Sequence, residues 1–200
     1  MFLDETGLML QPLVRRTWAP EGQTPVMYSW DRHDRLSVVA GLTLSARARR
    51  IGLYFAIHEK NVTAEEVEAF VRHVQRSVGR KLIVVMDRWA VHRKAAKNLF
   101  GDERFWIEWL PPYAPDLNPV EHVWNHTKYG DLANYVPDDV LDLEIEFRMS
   151  IDQTRGCPEL LRSFFHGAGL ELSQCYIVLA KINKSPCGIL PQPEFARPPG

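Results

Sequence analysis

Short apolar or alternating segments fill the first third of the chain, and Gly, Pro and Asp separate them, which is typical of β-strands. Four segments fit this pattern, namely MFLDETG, LMLQPLVRRTW, RLSVVAGLTL and IGLYFAIH. The links between them have the length of hairpin connections. We therefore predict four strands that form an antiparallel meander.

A helical repeat follows the meander over NVTAEEVEAFVRHVQRSVG. Thr63 and Glu66 have the spacing of a capping box, and Gly79 stands where a helix of this length ends. The apolar residues of the segment recur every three or four positions, at Val67, Phe70, Val71 and Val74. The pattern predicts an amphipathic helix.

The segment KLIVVMD places five apolar residues directly before the carboxylate of Asp87. A continuous Leu, Ile and Val run after a helix is typical of a central parallel strand that is buried on both faces. A helix from about His92 to Phe100 and a second strand, FWIEWL, are predicted next. Parallel strands joined by helical crossovers, added to a meander, predict an α/β fold with a mixed sheet.

A proline-rich loop, PPYAPDLN, leads into a helix with Asn118 as its N-cap and Pro119 at its first position. Two more helices are predicted at about Pro137–Asp152 and Pro158–Ala168. The last twenty residues, KINKSPCGILPQPEFARPPG, show neither a helical nor a strand period, so we predict disorder from about residue 181.

Composition is that of one globular domain, with 46% hydrophobic and 24% charged residues. No apolar run reaches the roughly 20 residues that span a bilayer. The acidic pair Asp4–Glu5 is unlike a signal peptide. Three cysteines without a CxxC pair argue against a disulfide framework or a structural zinc site, and for a reducing compartment. These features predict a cytoplasmic protein without a membrane partner.

The net charge of −1 does not indicate nucleic-acid binding, but basic residues are locally clustered. The clusters lie at Arg15 and Arg16, at Arg32 and Arg35, at Arg47, Arg49 and Arg50, and at Arg93, Lys94 and Lys97. They fit either a basic groove or ordinary solvated surface.

Asp87 is the first candidate for chemistry, because α/β sheets bind ligands at the carboxyl ends of their strands. Capping of the next turn is the alternative. Asp4 and Glu5 point to opposite faces of the first strand, so one of them can face Asp87 if the two strands are neighbours. Strand-end solvation is the alternative for Asp4.

Glu121 occupies the third position of its helix, where it could complete a capping box with Asn118. The predicted buried stripe of this helix is Val120, Val123, Trp124 and Thr127, which places Glu121, Asn125 and Lys128 on one flanking polar line. A carboxylate, an amide and a cation on one line of the helix would suit the binding of a metal ion and a phosphate. His92, five residues after Asp87, could approach DNA or a metal, although a structural role is the alternative.

Three carboxylates match the preference of Mg²⁺ for hard oxygen ligands. A pair of such ions can activate an attacking hydroxyl group and stabilise the leaving oxygen of a phosphodiester. HExxH, GxSxG and Walker glycine-loop motifs are not found in the sequence, which weakens other chemistries.

FLDETG, VVMDRWAVH and above all WLPPYAPDLNPVEHVWNHTKY resemble the DDE transposases of bacterial insertion sequences in the mariner-related superfamily. RRTWAP, GQTP and LLRSFFHGAGL are also similar to that group. The resemblance covers residues 1–172, which we expect to be the catalytic domain. Residues 173–200 are then a C-terminal extension.

The resemblance implies a ribonuclease H-like fold with a mixed five-stranded sheet flanked by helices. It also implies metal-dependent hydrolysis at the ends of the element, followed by attack of the 3′-hydroxyl on target DNA. Asp4, Asp87 and Glu121 match the three catalytic and metal-binding acids, with Mg²⁺ or Mn²⁺ as the cofactor and two ions expected. There are 33 residues between Asp87 and Glu121, close to the family's spacing.

The implied partner is DNA, both transposon ends and target, and a homodimer on DNA is plausible from paired-end chemistry. Lys128 matches a basic position near the DNA end, and Arg88, His92 and Asn125 are further candidates for DNA contact. Arg88 departs from the family, since many relatives have Asn at this position.

Complete members of the family carry helix-turn-helix domains ahead of the first acid, which is residue 4 here. We therefore expect a separately encoded recognition segment or a truncated element. Two alternatives stay open from the sequence. One is a catalytically incompetent remnant that binds DNA or a partner, and the other is a stand-alone ribonuclease H-like nuclease.

Overall fold

Five strands form one mixed sheet in the computed structural model, which describes residues 1–29, 34–47 and 50–172. Their order across the sheet is β3-β2-β1-β4-β5. Strands β1, β2 and β3 pair antiparallel, whereas β1, β4 and β5 pair parallel. The strands are β1 (Phe2–Met9), β2 (Arg35–Leu44), β3 (Ile51–His58), β4 (Leu82–Met86) and β5 (Phe105–Trp109). The predicted α/β class and five-stranded mixed sheet are confirmed.

The second of the four predicted strands is wrong. Only Leu8 and Met9 of LMLQPLVRRTW are in a strand, as the end of β1. Pro12 has no N–H to donate to a ladder, and the chain from Arg15 to Ser29 is exposed rather than alternately buried. This segment makes an isolated parallel bridge between Leu13 and Ala133 instead.

Five α-helices connect and follow the strands. They are α1 (Ala64–Val78), α2 (Ala90–Leu99), α3 (Pro119–His126), α4 (Val140–Arg155) and α5 (Pro158–Gly167). The predicted capping box of α1 is present, with the Glu66 N–H donating to Thr63 Oγ1 at 3.3 Å and the Thr63 N–H donating to Glu66 Oε2 at 2.6 Å. Gly79 ends α1 in the left-handed conformation, as predicted.

Helices cover both faces of the sheet and bury two cores. On one face α1 and α2 pack over residues such as Leu3, Val84 and Met86. On the other face α3, α4 and α5 pack over residues such as Leu36 and Leu42. The predicted buried residues of α1, Val67, Phe70, Val71 and Val74, all lie in the first core.

Strand β4 is buried on one face only, which corrects the prediction of burial on both faces. Ile83 is 50% exposed, and its neighbour Trp106 on β5 is 65% exposed. The reason is the position of α3, α4 and α5, which contact β1, β2 and β3. Apolar composition alone does not show which strands a helical layer covers.

The C-terminal extension, residues 173–200, and its predicted disorder from about residue 181 lie outside the described residues. Within the described segments, no helix has both the length and the apolar character that crossing a membrane requires.

Candidate active site

Asp4 lies on β1 and Asp87 directly follows β4, and these two strands are parallel neighbours, which is the condition set above for Asp4 to face Asp87. Phe2 of β1 pairs with Val85 of β4, and the N–H of Val85 donates to the carbonyl of Met1 at 2.8 Å. Each aspartate is two residues beyond this pair on its own chain. Since adjacent strands are about 4.8 Å apart, the register brings both residues to the same edge of the sheet.

Helix α3 is fastened to β1 at two points, which brings Glu121 close to Asp4. The Asn118 side-chain amide donates to the carbonyl of Leu3 at 3.2 Å. The Trp124 indole N–H donates to Asp4 Oδ2 at 2.8 Å. Glu121 lies three residues before Trp124 in α3, so their side chains are neighbours on the surface of the helix.

The capping alternative for Glu121 does not describe this helix. Asn118 is the N-cap as predicted, and its side chain accepts a hydrogen bond from the Val120 N–H at 3.2 Å. The backbone N–H of Asn118, which a capping-box glutamate would accept, donates to the carbonyl of Pro115 at 2.8 Å instead. The N–H groups of Val120 and Asn118 at the start of α3 therefore have Asn118 and Pro115 as their acceptors, and Glu121 is not needed as a cap.

Burial and mutual repulsion perturb the carboxylates on the α3 side. Burial, and next the charge of Glu121, raise the pKa of Asp4 to about 7, although the Trp124 hydrogen bond opposes this rise. Burial also raises the pKa of Glu121, against the attraction of Lys128 and with a further repulsion from Asp87. Electrostatic coupling thus links Glu121 to both aspartates.

Asp87 faces a second set of partners on the α2 side. Its side chain is 55% exposed, and its Oδ1 accepts from the Trp89 N–H at 2.9 Å. The same oxygen is 2.5 Å from Nδ1 of His92. Nε2 of His92 lies 2.8 Å and 2.7 Å from Oε1 and Oε2 of Glu5.

His92 is 1% exposed and joins Glu5 to Asp87. Burial lowers the pKa of His92, but Glu5 and Asp87 together outweigh it and raise the pKa to about 9. Both ring nitrogens therefore carry protons at neutral pH and donate to the carboxylates. Both ring nitrogens contact carboxylates in this structure, and a DNA contact of His92 stays a prediction.

The other candidates for DNA contact lie at the surface near Glu121 and Asp87. Lys128 follows α3 in a single π-helical turn (Thr127–Asp131), and its Nζ donates to Thr6 Oγ1 and the Gly7 carbonyl, each at 3.1 Å. Burial lowers the pKa of Lys128, while Glu121 opposes this. Arg88 and Asn125 are exposed.

The partner roles of Glu5 and Trp124 were not predicted from the sequence. Strand alternation did place Glu5 and Asp4 on opposite faces, and the structure confirms it, with Leu3 and Met1 of the Glu5 face in the α1–α2 core. The five-residue spacing from Asp87 to His92 was noticed, but sequence spacing could not show that β1 brings Glu5 to the other side of that histidine.

The acids are adjacent without forming a ready cluster of ligands. Among the side chains of residues 1–29, 34–47 and 50–172, no group of three or more His, Cys, Asp or Glu is placed to hold a metal ion. The hydrogen bonds explain this arrangement, because Asp4 is directed to Trp124 while Asp87 is directed to His92.

Solved structures with a similar fold include complexes of the Mos1 transposase. The Mos1 mariner paired end complex with Mn is 17% identical, with a TM-score of 0.58, and the match covers 84% of this chain and 51% of that chain. The Mos1 strand transfer complex is 16% identical, with a TM-score of 0.56, over 84% and 50%. This chain therefore spans about half the length of those proteins, and the likeness shows a shared ribonuclease H-like fold.

A comparison with curated protein sequences gives no match. A family model described as DDE superfamily endonuclease, in contrast, matches residues 1–141 and so includes Asp4, Asp87 and Glu121. That match covers well over half of the chain. This chain belongs to the DDE superfamily of endonucleases.

Proposed function

We propose that this chain is the catalytic domain of a DNA transposase, which hydrolyses phosphodiester bonds at transposon ends and joins the new 3′-hydroxyl to target DNA. The observation that carries the proposal is that β1 and β4 bring Asp4 and Asp87 to the same end of the sheet, with Glu121 close enough to each for their charges to interact. Membership of the DDE endonucleases supports it, as does the fold shared with Mos1 complexes.

The donor set fits a divalent metal ion. Asp4 has a pKa raised to about 7 by burial and by Glu121, so two carboxylates are held together at a cost that a cation would remove. Carboxylate oxygens are the ligands that Mg²⁺ and Mn²⁺ prefer. We propose that Asp4, Asp87 and Glu121 hold two such ions, with Asp4 turning part of its carboxylate away from Trp124.

Bound ions would activate the attacking water or 3′-hydroxyl and stabilise the leaving oxygen. The side chains of this chain would do the rest. Lys128, close enough to Glu121 for their charges to interact, would pair with a phosphate at the DNA end. Arg88 and Asn125, exposed near Asp87 and Glu121, would contact the DNA backbone and fix its register.

We propose transposon ends and target DNA as the substrates, because the similar Mos1 structures are described as paired end and strand transfer complexes. Two copies of the chain would act together on paired ends. A helix-turn-helix segment encoded separately would recognise those ends, and the protein would work on DNA in the cytoplasm.

Plasmid nicking followed by end joining tests the proposal. Purified chain is incubated with supercoiled plasmid, with and without the ends of its own element, in Mn²⁺, in Mg²⁺ or in chelator. We expect metal-dependent nicking and joining, which Asp87→Asn abolishes and the exposed control Asp34→Asn retains. Nicking that survives Asp87→Asn would contradict the assignment of this acid.

The same assay separates the two alternative functions. Metal-dependent nicking of every plasmid, without joining and without any effect of the element's ends, would favour a stand-alone nuclease. DNA binding without nicking, in a chain that still binds Mn²⁺, would favour a catalytically incompetent remnant.

A further inference from the structure

His92 lies between two carboxylates, and its own side chain is almost fully buried. It is the third residue of α2, its side chain is 1% exposed, and both ring nitrogens contact carboxylate oxygens. A buried imidazole needs hydrogen-bond partners on both nitrogens, since an unpaired buried polar group is costly. These contacts fix both the position and the plane of the ring.

Glu5 is the outer member of this arrangement. Its side chain is 12% exposed and lies on the face of β1 that α2 covers. Both of its oxygens are within 2.8 Å of Nε2 of His92, so the two atoms hold the ring symmetrically. The ring of Trp89 packs edge-on against His92, with the centroids 5.8 Å apart, and closes the arrangement from a third direction.

Asp87 would be mobile without these partners, because more than half of its side chain is exposed. The hydrogen bonds from His92 and from the Trp89 backbone both end on Oδ1. Neither of these two hydrogen bonds uses Oδ2. A carboxylate held through one oxygen offers the other in a fixed direction, which is what a metal ligand or a reacting phosphate requires.

We propose that Glu5 and His92 are positioning residues, which hold the carboxylate of Asp87 through one oxygen so that the other faces the reacting centre. This inference rests on the proposed function, in which Asp87 is a metal ligand. Asp4 and Glu5, adjacent in the sequence, would then serve one site in two ways. Asp4 would bind metal directly, whereas Glu5 would act through His92.

Partners of this kind generally change metal affinity or activity by about 10–100-fold when they are removed. We therefore expect Glu5→Ala to weaken the binding of Mn²⁺ by about that factor. Glu5→Gln should bind with intermediate affinity, since its amide oxygen can still accept from Nε2 of His92. A purely structural role for Glu5 would not produce this order of affinities.

The test is a titration of the full chain with Mn²⁺ alone, followed by calorimetry, with thermal melting of each variant alongside. Val74→Ala is the matched control, because it removes buried volume from α1 at a distance from Asp87 and should lower stability without changing Mn²⁺ affinity. If Glu5→Ala does not fold, Glu5→Gln is used alone, and we expect it to bind several-fold more weakly than wild type.

Asp87→Ala separates the possible failures. Loss of Mn²⁺ binding in Asp87→Ala together with wild-type affinity in the Glu5 variants would overturn the positioning role and leave the proposed function intact. Wild-type affinity in Asp87→Ala would overturn the metal site itself, and the positioning role with it. Weaker binding in both Asp87→Ala and Glu5→Ala, with the Val74→Ala control unchanged, supports the inference.

Discussion

Adjacent residues of β1 place carboxylates on opposite faces of the sheet, and the two faces balance the negative charge in different ways. On the α2 face, Glu5 and Asp87 share the protonated ring of His92. On the α3 face, Asp4 has the neutral indole of Trp124 as its donor and Glu121 as a nearby like charge.

The different partners of these carboxylates suit the two faces to different roles, positioning on the α2 face and metal binding on the α3 face. On the α2 face, Glu5 and Asp87 share His92 as one cationic partner, so the position of these carboxylates is set before any ligand arrives. On the α3 face, burial and next the charge of Glu121 raise the pKa of Asp4 to about 7, and a bound cation would lower it. The α2 face would position the carboxylate of Asp87, and the α3 face would supply Asp4 and Glu121 as the other metal ligands of the same site.

Glu121→Gln should give the largest effect and should act oppositely on activity and stability. We expect metal-dependent nicking to fall by about 10²–10³-fold, the usual cost of removing one group that stabilises a transition state. Without metal, the melting temperature should rise, because the repulsion between Glu121 and Asp4 disappears. Plasmid nicking and thermal melting in chelator measure the two effects.

Glu103→Gln is the control, since the Glu103 side chain is 92% exposed and its contact with Lys81 is 4.0 Å long. It should change neither activity nor melting temperature. A fall in the metal-free melting temperature of Glu121→Gln would show that the α3 face is not under the repulsion described here.

His92→Ala should affect stability more than any single change on the α3 face. Removing one partner from a buried ionic arrangement commonly costs about 3–5 kcal/mol, and we expect about 3 kcal/mol because Asp87 regains solvent. Chemical denaturation measures this loss. His73→Ala on the exposed side of α1 is the control and should stay within about 0.5 kcal/mol of wild type. A loss below about 1 kcal/mol would mean that the α2 face is not preorganised by this histidine.

The fold was predictable wherever one period dominated a segment. Helix α1 combined a regular apolar repeat with a capping box and a terminal glycine, and each of these signals was confirmed. The strand predicted after β1 was wrong because its apolar residues were taken as strand residues, although Pro12 has no N–H to donate and the residues from Arg15 onwards are exposed. Burial of β4 failed for another reason, since the covering helices come from distant parts of the chain.

The candidate site likewise has features that the sequence could predict and contacts that it could not. The approach of Asp4 to Asp87 was expected on the condition that β1 and β4 are neighbours, and the structure shows that pairing. The bond from Trp124 to Asp4 spans 120 positions, and the contact of Glu5 with His92 spans 87. Contacts of that range depend on how whole elements pack, so no local pattern could indicate them.

The stability of the metal-free chain should depend on pH through Asp4, and this effect should be smaller than those of Glu121→Gln and His92→Ala. Asp4 has an ordinary pKa of 3.8 and a folded pKa of about 7, so between these values the folded chain holds a proton at Asp4 that the unfolded chain has lost. Stability from Asp4 is therefore complete below pH 3.8 and is lost as the pH rises through about 7.

Asp4→Asn provides the reference, because the buried amino group of Met1, whose pKa is lowered to about 5, acts in the opposite direction in both proteins. Relative to Asp4→Asn, we expect wild type to lose about 2 kcal/mol across this window, less than a three-unit shift implies, since Asp4 keeps some solvent contact. Denaturation in chelator at several pH values measures the difference. Saturating Mg²⁺ should reduce it, because a cation stabilises the charged carboxylate. If the stability difference between wild type and Asp4→Asn does not change with pH, the charge of Asp4 costs no more in the folded chain than in the unfolded chain. The contrast between the two faces would then be contradicted.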